Sequence, residues 1–247
     1  MKKRSLCILS AIFLIAVTAA VLFAVNVSAD TYNLWIGGER VTSSNLSGAG
    51  WRYEPDSNTL VLNDFGLATK GYNLGKPSIS GYDDGRTWAY AVIYSNGGDI
   101  NIRTEGKESY IGDPNFASRL YEEVKSDGTH AVYCGIYSGG GKITISGSAR
   151  LTVGAHYRAI YAGNGGELTF DNARDVETIT YSGDTLHASH ITLKGNSYVN
   201  AEAGHAGAGV SSVNVYASNT VNIYDSSRLC SSYELSKDYN GSFKGIY

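Results

Sequence analysis

The sequence predicts an all-β chain: a right-handed parallel β-helix, a solenoid of about six turns, with an N-terminal β cap and one short inserted helix. Three observations carry this reading. An apolar–polar–apolar phrase recurs as Ile100-Asn101-Ile102, Ile143-Thr144-Ile145, Leu168-Thr169-Phe170, Ile191-Thr192-Leu193 and Val213-Asn214-Val215, and the last four begin 25, 23 and 22 residues apart. Eight residues after each of those four starts stands another apolar position: Leu151, Val176, Val199 and Val221. A third ladder, Ile93, Ile136, Ile160, Leu186 and Val210, precedes the phrase. Three short strands per repeat of this length mark a chain in which each turn stacks on the last. The hand follows from the general preference of parallel crossovers.

In chain order, residues 1–29 are set apart first. Met1-Lys2-Lys3-Arg4 is basic, Leu6 to Val27 is almost unbroken apolar sequence, and Val27-Ser28-Ala29 is a small-residue cleavage site. This is a signal peptide, with an uncleaved N-terminal membrane anchor as the alternative. Residues 30–247 are then exported, secreted or held at the cell surface, and 218 residues are enough for a sizeable core. Losing Lys2, Lys3 and Arg4 takes the formal charge from −3 to −6. Nucleic acid and anionic membranes both need dense Lys and Arg, so neither is a partner of such a chain.

Residues 30–66 form the cap. A loose alternation around Leu34, Ile36 and Val41 turns at Gly37-Gly38, and Trp51-Arg52-Tyr53 meets Thr59-Leu60-Val61-Leu62 across a turn at Pro55 to Asn58. A solenoid end exposes strand edges, and this unit is placed to cover them. Residues 67–247 are the β-helix domain, opening with a long Gly- and Tyr-rich loop to residue 88. Residues 106–130 read as an insertion, with a short helix carrying Phe116, Leu120 and Val124 on one face and Arg119/Glu123 as an i,i+4 pair. The last residues, Lys244-Gly245-Ile246-Tyr247, echo Gly135-Ile136-Tyr137.

Cys134 and Cys230 remain in the exported part. If Leu229 continues the ladder of Ile136, they lie four turns, about 19 Å, apart. A disulfide needs Cα atoms within about 7 Å, so two unbridged thiols are expected.

Strand side chains alternate in and out. The phrase therefore stacks Asn101, Thr144, Thr169, Thr192 and Asn214 outward, preceded by a charged row of Asp99, Lys142, Glu167, His190 and Ser212 with Lys142 between the two acids. Following the third ladder come Tyr94, Tyr137, Tyr161, His187 and Ser211, with Trp88 near the start of the row. Tyrosine favours strands in any sheet, so one reading is plain packing. The other is a binding strip, Trp88, Tyr94, Tyr137, Tyr161 and His187, because flat rings hold the C–H faces of sugars while hydroxyl groups bond at the edges.

Catalytic sets are missing. A glycoside hydrolase needs paired carboxylates, and the candidates are Asp83-Asp84 in a loop and Asp99 with Glu167 on the outer row. Gly204-His205-Ala206-Gly207 resembles the Gly-His-Gly of polygalacturonases, whose Asn-Thr-Asp and Arg-Ile-Lys elements are absent. A lyase needs clustered carboxylates for Ca²⁺ and an Arg base on one face, whereas Arg150, Arg158 and Arg174 are scattered. No catalytic residue and no metal ligand is assigned; structural calcium at loop carboxylates such as Asp83, Asp84 and Asp113 stays open.

Two resemblances add to this. Tyr32-Asn33-Leu34-Trp35-Ile36-Gly37-Gly38 with Val41-Thr42, followed by Trp51-Arg52-Tyr53 and Asn58-Thr59-Leu60-Val61-Leu62, resembles an N-terminal module of exported Firmicutes proteins, over about 30 residues. The repeats resemble the secreted clostridial carbohydrate-binding parallel β-helix family, which implies binding of acidic plant polysaccharide with Ca²⁺. The expectation is a non-catalytic exported protein whose partner is a polysaccharide or cell-surface glycan. A structural or adhesive surface protein without a glycan ligand is the alternative, and a polysaccharide lyase or hydrolase the third.

Overall fold

The computed structural model describes residues 29–67, 71–76, 87–112, 123–124, 130–181, 183–203, 212–233 and 243–246. The apolar leader up to Ser28 therefore lies outside the described residues, as do Asp83, Asp84, Asp113, His205, Val210 and Ser211. Within Thr31–Tyr247 the fold is all-β, with parallel sheets.

β1 (Thr31–Ile36) and β2 (Glu39–Thr42) form an antiparallel hairpin over Gly37-Gly38, whose φ angles of 60° and 83° give the left-handed turn that suits strand twist. β3 (Ser47–Gly48), β4 (Trp51–Glu54) and β5 (Thr59–Asn63) follow as an antiparallel meander. A single 3-10 turn, Pro55–Ser57, and Asn58 at φ 48° reverse the chain between β4 and β5, where the sequence places a turn. Next come β6 (Gly66–Leu67), β7 (Tyr72–Gly75), β8 (Thr87–Ser95), β9 (Ile100–Glu105), β10 (Glu108–Ile111), β11 (Glu123–Val124) and β12 (His130–Ser138). The rest are β13 (Lys142–Gly147), β14 (Arg150–Ala155), β15 (Ile160–Ala162), β16 (Glu167–Ala173), β17 (Val176–Thr180), β18 (Leu186–Lys194), β19 (Tyr198–Ala203), β20 (Ser212–Ile223), β21 (Arg228–Tyr233) and β22 (Phe243–Ile246).

Equivalent strands of successive repeats pair in parallel, in three columns. Residues Ile93, Ile136, Ile160, Leu186 and Val215 stand opposite one another along β8, β12, β15, β18 and β20. Leu60, Ile102, Ile145, Phe170, Leu193 and Ile223 do so along β5, β9, β13, β16, β18 and β20. Ser109, Leu151, Val176, Val199 and Leu229 do so along β10, β14, β17, β19 and β21. β18 and β20 each run through the first two columns, so those columns belong to one 16-stranded sheet, while the third is a separate 6-stranded sheet. Apart from Ser109 and the half-exposed Ile223, the inward members of all three columns meet in one apolar cluster. Burying each Ile or Leu fully contributes roughly 1.5–3 kcal/mol.

Several sequence expectations are corrected by this register. The last repeat is longer than the sequence period: Thr192 faces Asn222, and Leu186 faces Val215. So Val221-Asn222-Ile223, not Val213-Asn214-Val215, is the fifth phrase, and Val215 replaces Val210 in its ladder. Leu229, not Val221, continues the ladder of Leu151, and it does not belong to the ladder of Ile136. The echo at the C-terminus does hold, since Ile246 pairs with Val215. Residues 106–130 are not wholly an insertion: β10 opens the third column, with the buried Ser109 in a place apolar in later repeats. The Ser109 hydroxyl accepts from the Phe65 N–H at 3.1 Å, which satisfies it. Of the expected helix, residues 113–122 lie outside the described residues, and Glu123–Val124 is a strand antiparallel to β12. An isolated helix of about a dozen residues is marginal in water, and the free edge of β12 offers Val124 ladder hydrogen bonds instead.

Both cysteines are free thiols. Cys134 is buried, and burial pushes its thiol up to about 12. Cys230 is exposed and sits in the other sheet, opposite Asn200.

Candidate functional site

The outer side of the first column carries a row of rings. Register alone puts Trp35, Tyr94, Tyr137, Tyr161, His187 and Tyr216 opposite one another on β1, β8, β12, β15, β18 and β20. Each follows or precedes an inward aliphatic residue, so alternation turns the rings outward. Tyr72 joins from β7, stacked on Tyr94 with centroids 4.2 Å apart and planes 11° from parallel. Along the row the centroids are 6.1 Å apart for Tyr94–Tyr137, 4.5 Å for Tyr137–Tyr161, 4.7 Å for Tyr161–His187 and 4.4 Å for His187–Tyr216. Trp35 lies 5.3 Å from Tyr94, with the Arg40 guanidinium 5.0 Å from the indole. All seven rings are half-buried and each lies against a neighbour in the row.

Polar groups border the row. The Arg158 guanidinium lies 4.0 Å from the Tyr161 ring centroid and 4.6 Å from that of Tyr157, a cation–π arrangement. Its Nε is buried with no hydrogen-bond partner among the described residues. The Asp184 carboxylate accepts from Nδ1 of His187 at 2.6 Å, which leaves Nε2 as the acceptor. Tyr94 donates its hydroxyl hydrogen to Asn96 Oδ1 at 3.1 Å. Burial pushes the Tyr137 phenol up to about 12 and raises that of Tyr94, so both stay neutral hydrogen-bonding groups at physiological pH.

Four of the five residues read from the sequence as a strip are brought together: Tyr94, Tyr137, Tyr161 and His187. Trp88 is not. It lies six residues before Tyr94 on β8, about 20 Å along the strand, opposite Ala131 and with the Lys76 ammonium 5.6 Å from its ring. Trp35, Tyr72, Tyr216 and Arg158 were not foreseen. Trp35 and Tyr72 arrive on antiparallel strands outside the repeat, Arg158 from a loop, and Tyr216 through the longer last repeat. A five-residue offset in that repeat would have named Tyr216 in place of Ser211.

The charged row stands as read over its first four members, with Lys142 facing Glu167 and Glu167 facing His190. Asp99 Oδ1 accepts the Lys142 backbone N–H at 2.9 Å. The fifth member is Thr220, not Ser212, and its hydroxyl lies 2.9 Å from Nδ1 of His190. Asn214, expected outside, is wholly buried. Among the described residues no group of three or more His, Cys, Asp or Glu could hold a metal ion. No family model, curated protein or solved structure matches the chain.

Proposed function

We propose that this is an exported, non-catalytic protein, a right-handed parallel β-helix that binds polysaccharide along the ring row. The supporting observation is the contiguity of the row from Tyr94 to Tyr216, four inter-strand spacings or about 19 Å. Five rings on a rigid sheet form a platform that pays little ordering entropy, since stacked side chains are already fixed. The rings offer apolar faces to sugar C–H groups, and Arg158, His187 Nε2 and the neutral phenols offer donors and acceptors at the edges. The column register and the apolar cluster that the columns share support the solenoid reading. The leader in residues 1–29 supports export.

Retention on insoluble polysaccharides and a glycan array test the binding. The protein is expected to be retained by at least one polysaccharide, and a Tyr94→Ala/Tyr137→Ala/Tyr161→Ala variant to lose at least about tenfold in affinity. Circular dichroism checks that the variant is folded, and His187→Ala, which removes one ring of the row, is a milder second variant. Undiminished retention by a folded triple variant would overturn the assignment.

One observation favours a structural or adhesive reading instead. The Val221–Ile223 half of β20 has no partner on its far side among the described residues, and Ile223 and Tyr224 are about half exposed. Self-association in light scattering, with no glycan retained, is the result that reading expects.

A further inference from the structure

A cavity of about 250 Å³ lies where β1, the turn between β4 and β5, and the turn between β8 and β9 meet. Pockets for drug-sized ligands run from roughly 300 to 1,000 Å³, so this one suits a ligand of single-ring size. Two of its walls differ in kind. One is aromatic: the rings of Tyr32 and Tyr53 meet edge to face with centroids 5.0 Å apart. The other is bare backbone, Gly97 and Gly98 at φ 74° and 86°, where an added Cβ would meet nothing within 4 Å. A ring face fits against the first and a hydroxyl edge against the second.

The polar groups define the ligand further. Tyr53 donates its hydroxyl hydrogen to Asn58 Oδ1 at 2.7 Å, which leaves the phenol oxygen an acceptor. Asn58 Nδ2 is used on the Asp99 carbonyl, and Asp99 Oδ1 on the Lys142 N–H. That leaves Asp99 Oδ2, the Tyr32 hydroxyl and the Ser95 hydroxyl with hydrogen-bonding capacity that no described residue takes up. All three residues line the cavity beside its aromatic wall, and oxygens of this kind match the hydroxyl edge of a polyhydroxylated ring. Among the described residues no lining side chain is cationic, and one is a carboxylate. An anionic ligand would meet Asp99 unpaired, at a cost, whereas a neutral one meets an acceptor stronger than a neutral oxygen.

We propose that this cavity binds a single uncharged sugar unit, as a free monosaccharide or as the end of a neutral glycan, with Asp99 and Tyr32 as its hydrogen-bonding residues. It is a site apart from the ring row and stands whether or not the row binds polysaccharide.

Saturation-transfer NMR and titration calorimetry with glucose, galactose, mannose, xylose and N-acetylglucosamine, set against glucuronate and galacturonate, test it. At least one neutral sugar is expected to bind with a Kd of order 1 mM, and the uronate of matching stereochemistry at least about tenfold more weakly. Asp99→Asn keeps the acceptor for the Lys142 N–H and is expected to weaken binding about tenfold, as for a hydrogen bond to a charged group. Tyr32→Phe removes one oxygen and is expected to weaken it about fivefold. If no neutral sugar binds, if the uronate binds as well as its neutral counterpart, or if both folded variants bind as the parent does, the proposal fails. A Tyr161→Ala/His187→Ala variant separates the two sites: monosaccharide binding that persists supports the cavity, and binding that disappears assigns the sugar to the row and overturns it.

Discussion

Asn214 is a polar side chain with no exposed surface, and its neighbours take up the donor end of its amide. Its Nδ2 donates to the Ala201 carbonyl at 3.2 Å, to Ser231 Oγ at 2.9 Å and to the Ser232 carbonyl at 2.6 Å. These acceptors sit on β19 and β21, so one amide ties β20 to the third column. The amide does what the apolar residues of the earlier repeats cannot: it bridges strands whose own ladder partners lie elsewhere. Asn214→Leu is close in volume but removes the amide donor that the Ala201 and Ser232 carbonyls and Ser231 Oγ share. The expected cost is about 1–3 kcal/mol, read from the midpoint of urea unfolding. Asn214→Asp, which keeps an acceptor but loses the donors, is expected to cost more, because it buries a charge as well.

At the scale of the element, the strands were legible wherever the repeat kept its length. Ile143-Thr144-Ile145, Leu168-Thr169-Phe170 and Ile191-Thr192-Leu193 fall in register as the period predicts, because a one-residue slip would turn each inward pair to solvent. The period failed at the last repeat, where an equally good phrase, Val221-Asn222-Ile223, lay eight residues on and nothing in the sequence ranked the two. It also failed at Ser109, where the inward residue is polar and its partner, the Phe65 N–H, is visible only in three dimensions. The ring row shows the same division. Its middle followed from the ladder, and its two ends, Trp35 with Tyr72 and Tyr216, depended on strand pairing outside it.

The turns between strands carry their own constraint. Gly141 has φ 84°, and a Cβ there would come within 2.4 Å of the Gly98 carbonyl in the neighbouring repeat. Gly165 has φ 78° and open space around it. Both substitutions to alanine strain the backbone, at roughly 1 kcal/mol or a little more. Only Gly141→Ala also forces two stacked turns apart, so it is expected to cost at least about 2 kcal/mol more than Gly165→Ala in chemical unfolding. Equal costs would mean that the turns are not packed as the register places them.

For the whole molecule, stability should depend on pH in two stages with different origins. His156 is buried, its ring 5.3 Å from that of Tyr181, and burial lowers its pKa to about 4. The unfolded chain takes up that proton near pH 6.5. Between those values the unfolded state binds a proton that the folded state refuses, so stability is whole above pH 6.5 and declines towards pH 4. The loss is roughly 3 kcal/mol. The second stage belongs to carboxylates. The Arg52 guanidinium, with Arg103 beside it, holds Glu105 below the usual carboxylate range, and the backbone N–H groups of Lys107 and Glu108 do the same for Asp64. Groups lowered in this way stabilise the fold above their unfolded pKa, near 4, and lose that contribution as pH falls through the lower folded value. Urea unfolding at pH steps from 8 to 3 separates the stages. His156→Phe is expected to remove most of the slope between pH 6.5 and 4, whatever it does to stability at pH 8. Added salt should flatten the stage below pH 4 alone, because the Arg52–Glu105 network is exposed enough to be screened, with a Debye length of about 8 Å at 0.15 M, and His156 is not. A slope between pH 6.5 and 4 that survives in the variant would show that the buried imidazole is not its source.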